Sequence, residues 1–297
     1  MTRRLEGKAV AEALLAGARS KVEQLRSAGR PPPVLASVHR GAQTPFAVYL
    51  RRQSKAAASV GIGFRDEGLP PAADTQILRQ RVAALNQDPT VHAVILEHPL
   101  PPGLDFLGAI QQLRPEKDVD GVGPLNLGLL VSRRAIQAPA VARGAMAIAR
   151  HYGVPIAGQR VTVIGRSETV GVPLALLLLA RGEGADATVT VAHSRTRDLA
   201  KTLASAQVIF SCAGAPGLLS RSVVPEGSVV IDVGLSTVPD ATQPSGQRVV
   251  GDADATALEG WVEALTPVPG GVGPVTVAQL MANAVHGWEL LTGRSPP

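Results

Sequence analysis

Between a β-branched run, Val161 to Ile164, and a leucine-rich helical stretch, Leu174 to Arg181, lies the loop Gly165-Arg166-Ser167-Glu168-Thr169-Val170-Gly171-Val172-Pro173. A glycine turn between a strand and a helix start lets backbone N–H groups approach a pyrophosphate, and the helix dipole favours its negative charge. Pro173 suits the first helical turn, where a missing N–H costs no bond. The glycines are spaced more widely than in the G-x-G-x-x-G fingerprint, so spacing alone leaves a turn shaped only by packing as the alternative. The following strand, Thr188 to Ala192, ends in His193-Ser194-Arg195-Thr196, without a carboxylate for a ribose 2′-hydroxyl. Arg166 and Arg195 offer guanidinium forks for a 2′-phosphate instead, so the pattern predicts NADP over NAD.

Other chemistries lack their residues. The six histidines show no metal-ligand spacing with cysteine or paired acids, and no metal is expected. There is no nucleophile elbow and no phosphate-transfer loop. Cys212 is the single cysteine, so no intrachain disulfide forms and no oxidising compartment is required.

The elements that must position these residues follow from periodicity. A chain of 297 residues exceeds one domain of roughly 100–200 residues, so two lobes are expected. Pro31-Pro32-Pro33 ends a helical pattern and opens a strand at Val34 to Val38. A helix over Thr44 to Val60, a helix near Thr75 to Leu85 and a buried strand over His92 to Glu97 continue an α/β alternation that implies a parallel sheet. The pattern restarts with runs at Arg160–Ile164, Thr188–Ala192, Gln207–Ser211 and Ser228–Asp232, a Rossmann-type lobe over residues 139–267. Residues 1–138 and 268–297 form the other lobe, to which a long helix, Thr276 to Leu291, returns. The fold class expected is thus a two-lobed α/β protein. Aromatics are only 3% of residues, which argues against base-stacking nucleic-acid modules. The +5 charge suits an anionic ligand. No apolar run approaches the ~20 residues of a membrane span, and the protein is read as cytoplasmic.

Four passages together resemble the bifunctional methylenetetrahydrofolate dehydrogenase/cyclohydrolase family: Tyr49 on its helix, Lys117-Asp-Val-Asp-Gly121, Gly165-Arg-Ser-x-x-Val-Gly-x-Pro173, and Thr266-Pro-Val-Pro-Gly-Gly-Val-Gly-Pro274. Their order and spacing fit that family across nearly the whole chain. The resemblance implies a homodimer, a tetrahydrofolate derivative as substrate, and a catalytic cleft with the pterin bound on the first lobe. It further implies that Asp120 bonds the pterin's amino and ring N–H groups and that Tyr49 stacks on or orients the ring. Pro269, Gly270 and Gly273 would shape the floor of the site, and Gly165, Arg166, Ser167, Ser194, Arg195 and Leu235 would contact NADP.

The departures from that family gather at the reacting centre. Four residues after the tyrosine, one turn on and on the same helix face, the family has a lysine and this chain has Gln53. The family's glutamine before P-L-P is Glu97 here, followed by His98. Val141 and Ala142 replace a threonine and a proline, and Phe46 replaces a serine. Relative to the family, a positive charge is lost and a negative one gained. Hydride transfer mainly needs two rings held face to face, whereas methenyl hydrolysis needs water activated and protons moved. Dehydrogenation is therefore expected to survive and cyclohydrolysis to be weak or absent. Lys55 lies about 200° around the helix from Gln53, and Arg52 stays protonated, so neither replaces the lysine. Glu97 stands as the candidate carboxylate for a cationic iminium, or as a base, with a carboxylate simply exposed at the cleft edge as the alternative. The rival readings are a same-fold paralogue acting on another iminium or one-carbon adduct, and a non-catalytic protein that binds folate and NADP.

Overall fold

A two-residue strand, β1 (Arg3–Arg4), precedes α1 (Lys8–Ser27), and the proline triplet then delivers the chain extended into β2 (Val34–Arg40). There follow α2 (Thr44–Val60), β3 (Gly63–Leu69), α3 (Thr75–Gln87), β4 (Ala93–Leu96), α4 (Phe106–Ile110) and α5 (Pro124–Val131). Then come α6 (Ala140–His151), β5 (Arg160–Ile164), α7 (Gly171–Leu179), β6 (Thr188–Ala192), α8 (Leu199–Leu203), β7 (Val208–Ser211) and β8 (Val229–Asp232). The strands β9 (Ser236–Pro239) and β10 (Gln247–Val250), α9 (Ala255–Leu258), β11 (Ala264–Leu265) and α10 (Val272–Leu291) complete the chain. This computed structural model describes residues 1–40, 44–98, 100–243 and 246–293, and only the backbone of 44–47, so Phe46 lies outside the described side chains. The chain divides into two compact units, Glu12–Ala140 with Val277–Pro297, and Met1–Ala11 with Val141–Thr276.

The first unit is built on a parallel sheet of order β3-β2-β4. Central β2 is buried on both faces, as a strand with helices above and below must be. Leu35, Ala93 and Ile95 on one face pack with Ala57 and Val60 of α2 and with Leu280, Met281, Ala284, Val285 and Trp288 of α10. Burial of each large apolar side chain contributes about 1.5–3 kcal/mol, which is what returns the C-terminal helix to this unit. Ala36, Val38, Val94 and Leu96 on the other face meet Leu78, Val82 and Leu85 of α3. β3 carries Arg65, Asp66 and Glu67 and was not legible as a strand; its charges suit an edge position.

Lys117 closes the end of α3. Its buried ammonium donates to the carbonyls of Leu85, Asn86 and Asp88 at 2.8, 3.0 and 2.9 Å. Lys117→Met leaves these carbonyls without their donor, and unfolding in urea is expected to show a loss of about 2–3 kcal/mol.

The second unit holds a six-stranded parallel sheet of order β1-β11-β8-β7-β5-β6, with β9 and β10 pairing as an antiparallel ribbon. β5, the first strand of the βα units here, has β6 on one side and β7 on the other. Strand order reverses there, the point at which doubly wound sheets bind ligands beyond their carboxyl ends. The first eleven residues, expected with the other lobe, group with this unit, where β1 pairs in parallel with β11. α10 begins four residues earlier than expected, at Val272, since Pro274 is tolerated in a first helical turn. Among the described residues no helix is long and apolar enough to cross a membrane, and no group of three or more His, Cys, Asp or Glu is placed to hold a metal ion.

Candidate active site

Beyond the carboxyl end of β5, Gly165 adopts φ +117°, and a Cβ there would lie 2.5 Å from the carbonyl oxygen of Cys212. A Cβ on Gly171 would lie 2.3 Å from the oxygen of Gly165. The loop is thus folded onto itself so closely that only glycine fits at either end. Ser167 Oγ accepts from the N–H groups of Val170 at 3.2 Å and Gly171 at 3.4 Å, holding the turn into α7. Arg166 and Ser167 are exposed at its tip. After β6, Thr196 Oγ1 accepts from His193 N–H, and His193 Nδ1 accepts from Arg195 N–H, a tight turn that leaves Ser194 and Arg195 exposed. Leu235, which follows β8, has its side chain 68% exposed. Pro269, Gly270 and Gly273 belong to this same unit, where Gly270 accepts from Gly7 N–H at 2.8 Å. A tight glycine turn between a strand and a helix start can offer its backbone N–H groups to a phosphate.

The first unit gathers a different set. Tyr49, Gln53 and Ala57 follow one another at four-residue intervals along α2, so they form one stripe; Ala57 packs on the sheet and the polar members continue the stripe toward the strand ends. Gln53 is fully buried, whereas Arg52 and Lys55 are exposed, so neither neighbouring cation enters the cluster. Gln53 Nε2 donates to Glu97 Oε1 at 2.8 Å, and Ser37 Oγ donates to the same oxygen at 2.9 Å. Gln53 Oε1 is buried and has no hydrogen-bond partner among the described residues. Glu97 is itself buried and follows β4 directly, its N–H donating to the Val38 carbonyl. His98 points away, exposed, against the ring of Phe106.

Asp120 completes the cluster through a loop built by a second acid. Asp118 Oδ1 accepts from Gly121 N–H, and its Oδ2 accepts from Gly123 N–H and from Asn126 Nδ2. Turn capping is therefore the work of Asp118, while the half-buried Asp120 carboxylate makes no hydrogen bond to other described residues. Burial, then the charges of Asp118 and Glu97, push Asp120 up to about 7. Burial also raises Glu97, opposed by the bonds from Gln53 and Ser37 and by the charge of His39. The Tyr49 phenol is held above its ordinary range by burial and by Glu97 and Asp120, opposed by the Gln53 amide N–H. Two carboxyl groups and a phenol meet around one neutral amide. Such a set can accept N–H bonds from a heterocycle and face a cation, but the amide moves no proton.

Residues 139–291 match the tetrahydrofolate dehydrogenase/cyclohydrolase NAD(P)-binding domain, and residues 5–120 match that family's catalytic domain. The chain belongs to the tetrahydrofolate dehydrogenase/cyclohydrolase family. One relative in this family, the bifunctional protein FolD of Roseiflexus sp. (strain RS-1), is 40% identical over 282 residues, covering 95% of this chain and 94% of that protein. Among solved structures, the Trypanosoma brucei N5,N10-methylenetetrahydrofolate dehydrogenase-cyclohydrolase (FolD), complexed with NADP cofactor and an inhibitor, superposes with a TM-score of 0.92 at 35% identity, over 99% of both chains. The 5,10-methylenetetrahydrofolate dehydrogenase of the silkworm Bombyx mori superposes with a TM-score of 0.90 at 30% identity, over 99% of this chain and all of that one.

Within this tetrahydrofolate dehydrogenase/cyclohydrolase chain, three participants of the acid cluster were not singled out in the sequence: Ser37, His39 and Asp118. The only signal for the first two is their alternation with Leu35 on β2, which puts polar side chains on a core-facing stripe. In the NAD(P)-binding domain, Gly171→Ala forces the loop open. Calorimetric titration should show dinucleotide affinity falling tenfold or more, about 1.4 kcal/mol.

Proposed function

We propose that this chain oxidises 5,10-methylenetetrahydrofolate to 5,10-methenyltetrahydrofolate with NADP, and that its cyclohydrolase step is weak or absent. The observation that carries this reading is the buried Gln53 amide bonded to Glu97, a neutral group where the family resemblance implies a lysine. Asp120 accepts from the pterin's amino and ring N–H groups, and Tyr49 orients the ring. Pro269, Gly270 and Gly273 shape the floor of the site. Gly165, Arg166, Ser167, Ser194, Arg195 and Leu235 hold the dinucleotide, with the two guanidinium groups taking the 2′-phosphate. Bound NADP would supply the hydride acceptor. As a hydride and its electron pair leave the methylene carbon, positive charge spreads over the two flanking nitrogens. Glu97, ionised, faces that charge and stabilises it as it develops. No proton leaves in this step, so the absence of a lysine does not block it. The hydrolytic step differs, because water must lose a proton while it attacks; an amide cannot take it, and Glu97 on this reading stays an anion held by Gln53 and Ser37.

This reading places the enzyme in the cytoplasm as a homodimer. Both half-reactions followed on one preparation test it: NADPH should accumulate on addition of methylenetetrahydrofolate, while added methenyltetrahydrofolate should disappear little faster than in buffer. Methenyl hydrolysis as fast as the oxidation would overturn the second part, and no NADP reduction the first.

A further inference from the structure

We propose that Asn283, held in orientation by Gln279, is the positioning residue that aims the Asp120 carboxylate, by clamping the loop around Asp120 to helix α10. Its significance for the reaction rests on the role proposed for Asp120; the clamp itself does not.

The need for a clamp follows from what Asp120 lacks. Its carboxylate makes no hydrogen bond to other described residues, so the backbone that carries it sets its direction. That backbone is a turn, running from fully buried Val119 to Gly121 at φ +69°. Outside helix and sheet, buried carbonyls must find their donors elsewhere in the fold.

Asn283 supplies them. It is buried, and its Nδ2 donates to the Val119 carbonyl at 2.8 Å and to the Ala138 carbonyl at 3.1 Å, so one amide joins two separate segments. The same segments meet on the other side of Asp120. Ala140 N–H donates to the Asp120 carbonyl at 3.1 Å, and a Cβ on Gly121 would lie 2.6 Å from the carbonyl carbon of Ala138. Asp120 is thus fixed before, at and after its own position against residues 138–140.

Two further amides hold the clamp. Gln279, one turn earlier on α10, donates from Nε2 to Asn283 Oδ1 at 2.9 Å, which leaves Nδ2 turned to the two carbonyls, where only a donor fits. Gln137 Nε2 donates to the Asn283 carbonyl at 2.9 Å, and Gln137 N–H donates to Asn126 Oδ1 at 3.1 Å. Asn126 is the residue whose Nδ2 also bonds Asp118. On α10, Leu280, Ala284 and Trp288 lie in the core around these amides, and all of these residues belong to the first unit. The arrangement ties the aim of Asp120 to a helix that cannot easily move.

The test is a double-mutant cycle on tetrahydrofolate binding, read by calorimetric titration. Asn283→Ala should weaken binding about tenfold in the otherwise unaltered protein but less than about twofold in the Asp120→Asn protein, where no anion is left to aim. Gln279→Leu, which frees the amide to turn, should weaken it about threefold, and NADP affinity should stay the same throughout. Equal weakening in both backgrounds, a matching fall in NADP affinity, or unchanged folate affinity in folded Asn283→Ala overturns the proposal. If Asn283→Ala does not fold, Gln279→Leu taken through the same cycle decides, an unmoved affinity being fatal. Should the unaltered protein bind no tetrahydrofolate, the proposed function falls while amide hydrogen exchange still answers this question. Faster exchange in Asn283→Ala at Gly121 and Ala140, with the β2 and β4 amides as protected as before, upholds the clamp, and any other pattern overturns it.

Discussion

Gln53→Lys combined with Glu97→Gln is expected to raise methenyltetrahydrofolate hydrolysis by about 10²-fold or more, the usual scale of a positioned acid–base group. The physical reason lies in what each change does to the other. A lysine at position 53 would put its ammonium where Gln53 Nε2 now bonds Glu97 at 2.8 Å. Beside an ionised carboxylate that ammonium would hold its proton, and an ammonium cannot act as a base. Gln53→Lys alone should therefore recover much less hydrolysis than the double variant. With Glu97 also made neutral, burial pushes the amine toward its uncharged form, the state that can accept a proton from water. Stopped-flow loss of methenyl absorbance in the four proteins of this cycle measures the coupling directly. Equal hydrolysis in all four would remove Gln53 as the cause of a weak cyclohydrolase step.

Asp120→Asn should lower kcat/KM for oxidation by about 10²- to 10³-fold, roughly 3–4 kcal/mol, because it exchanges two anionic acceptors for one neutral acceptor and an N–H pair that meets the pterin's own donors. The same substitution should make the free protein more stable at pH 8. Asp120 in the folded chain is pushed up to about 7 from 3.8. For a carboxyl raised by folding, stability is fullest below 3.8 and is progressively lost as pH rises to about 7, where the buried group must carry its charge. Asparagine never ionises, so this loss disappears in the variant. A thermal melt at pH 8 should thus shift upward while turnover collapses, a combination that a residue serving only the fold would not show. In the unaltered enzyme KM for the folate should rise as pH falls through about 7, and in the variant that dependence should be gone. A variant that loses stability and activity together would place Asp120 in the scaffold and leave the pterin without its anchor.

Much of the architecture is written in local patterns. α2 spans the stretch from Thr44 to Val60 that helical spacing marks, and β5 and β6 coincide with their β-branched runs, because periodicities of 3.6 and 2 depend only on neighbours along the chain. The tight turn from Gly165 to Gly171 was legible for the same reason: the glycines, Ser167 and the start of α7 all lie within one short segment. Tyr49 and Gln53 could be set on one face by counting residues. Glu97 could be named as a suspect but not given a partner.

Its partners were decided by packing. Nothing local says that the face of β2 bearing Ser37 and His39 turns toward α2, or that Asp66 on a strand hidden by its own charges reaches His39. Asp118 and Asp120 look alike in Lys117-Asp-Val-Asp-Gly121, and only the folded loop spends the first on backbone N–H groups and leaves the second open. Likewise β1 joins the second sheet through an edge more than 250 residues away in sequence. A sequence determines which groups are available and how each short segment bends. The tertiary structure decides which of them share a dry, low-dielectric space, and there burial and neighbouring charge, both properties of contacts distant in the chain, set what Glu97 and Asp120 can do.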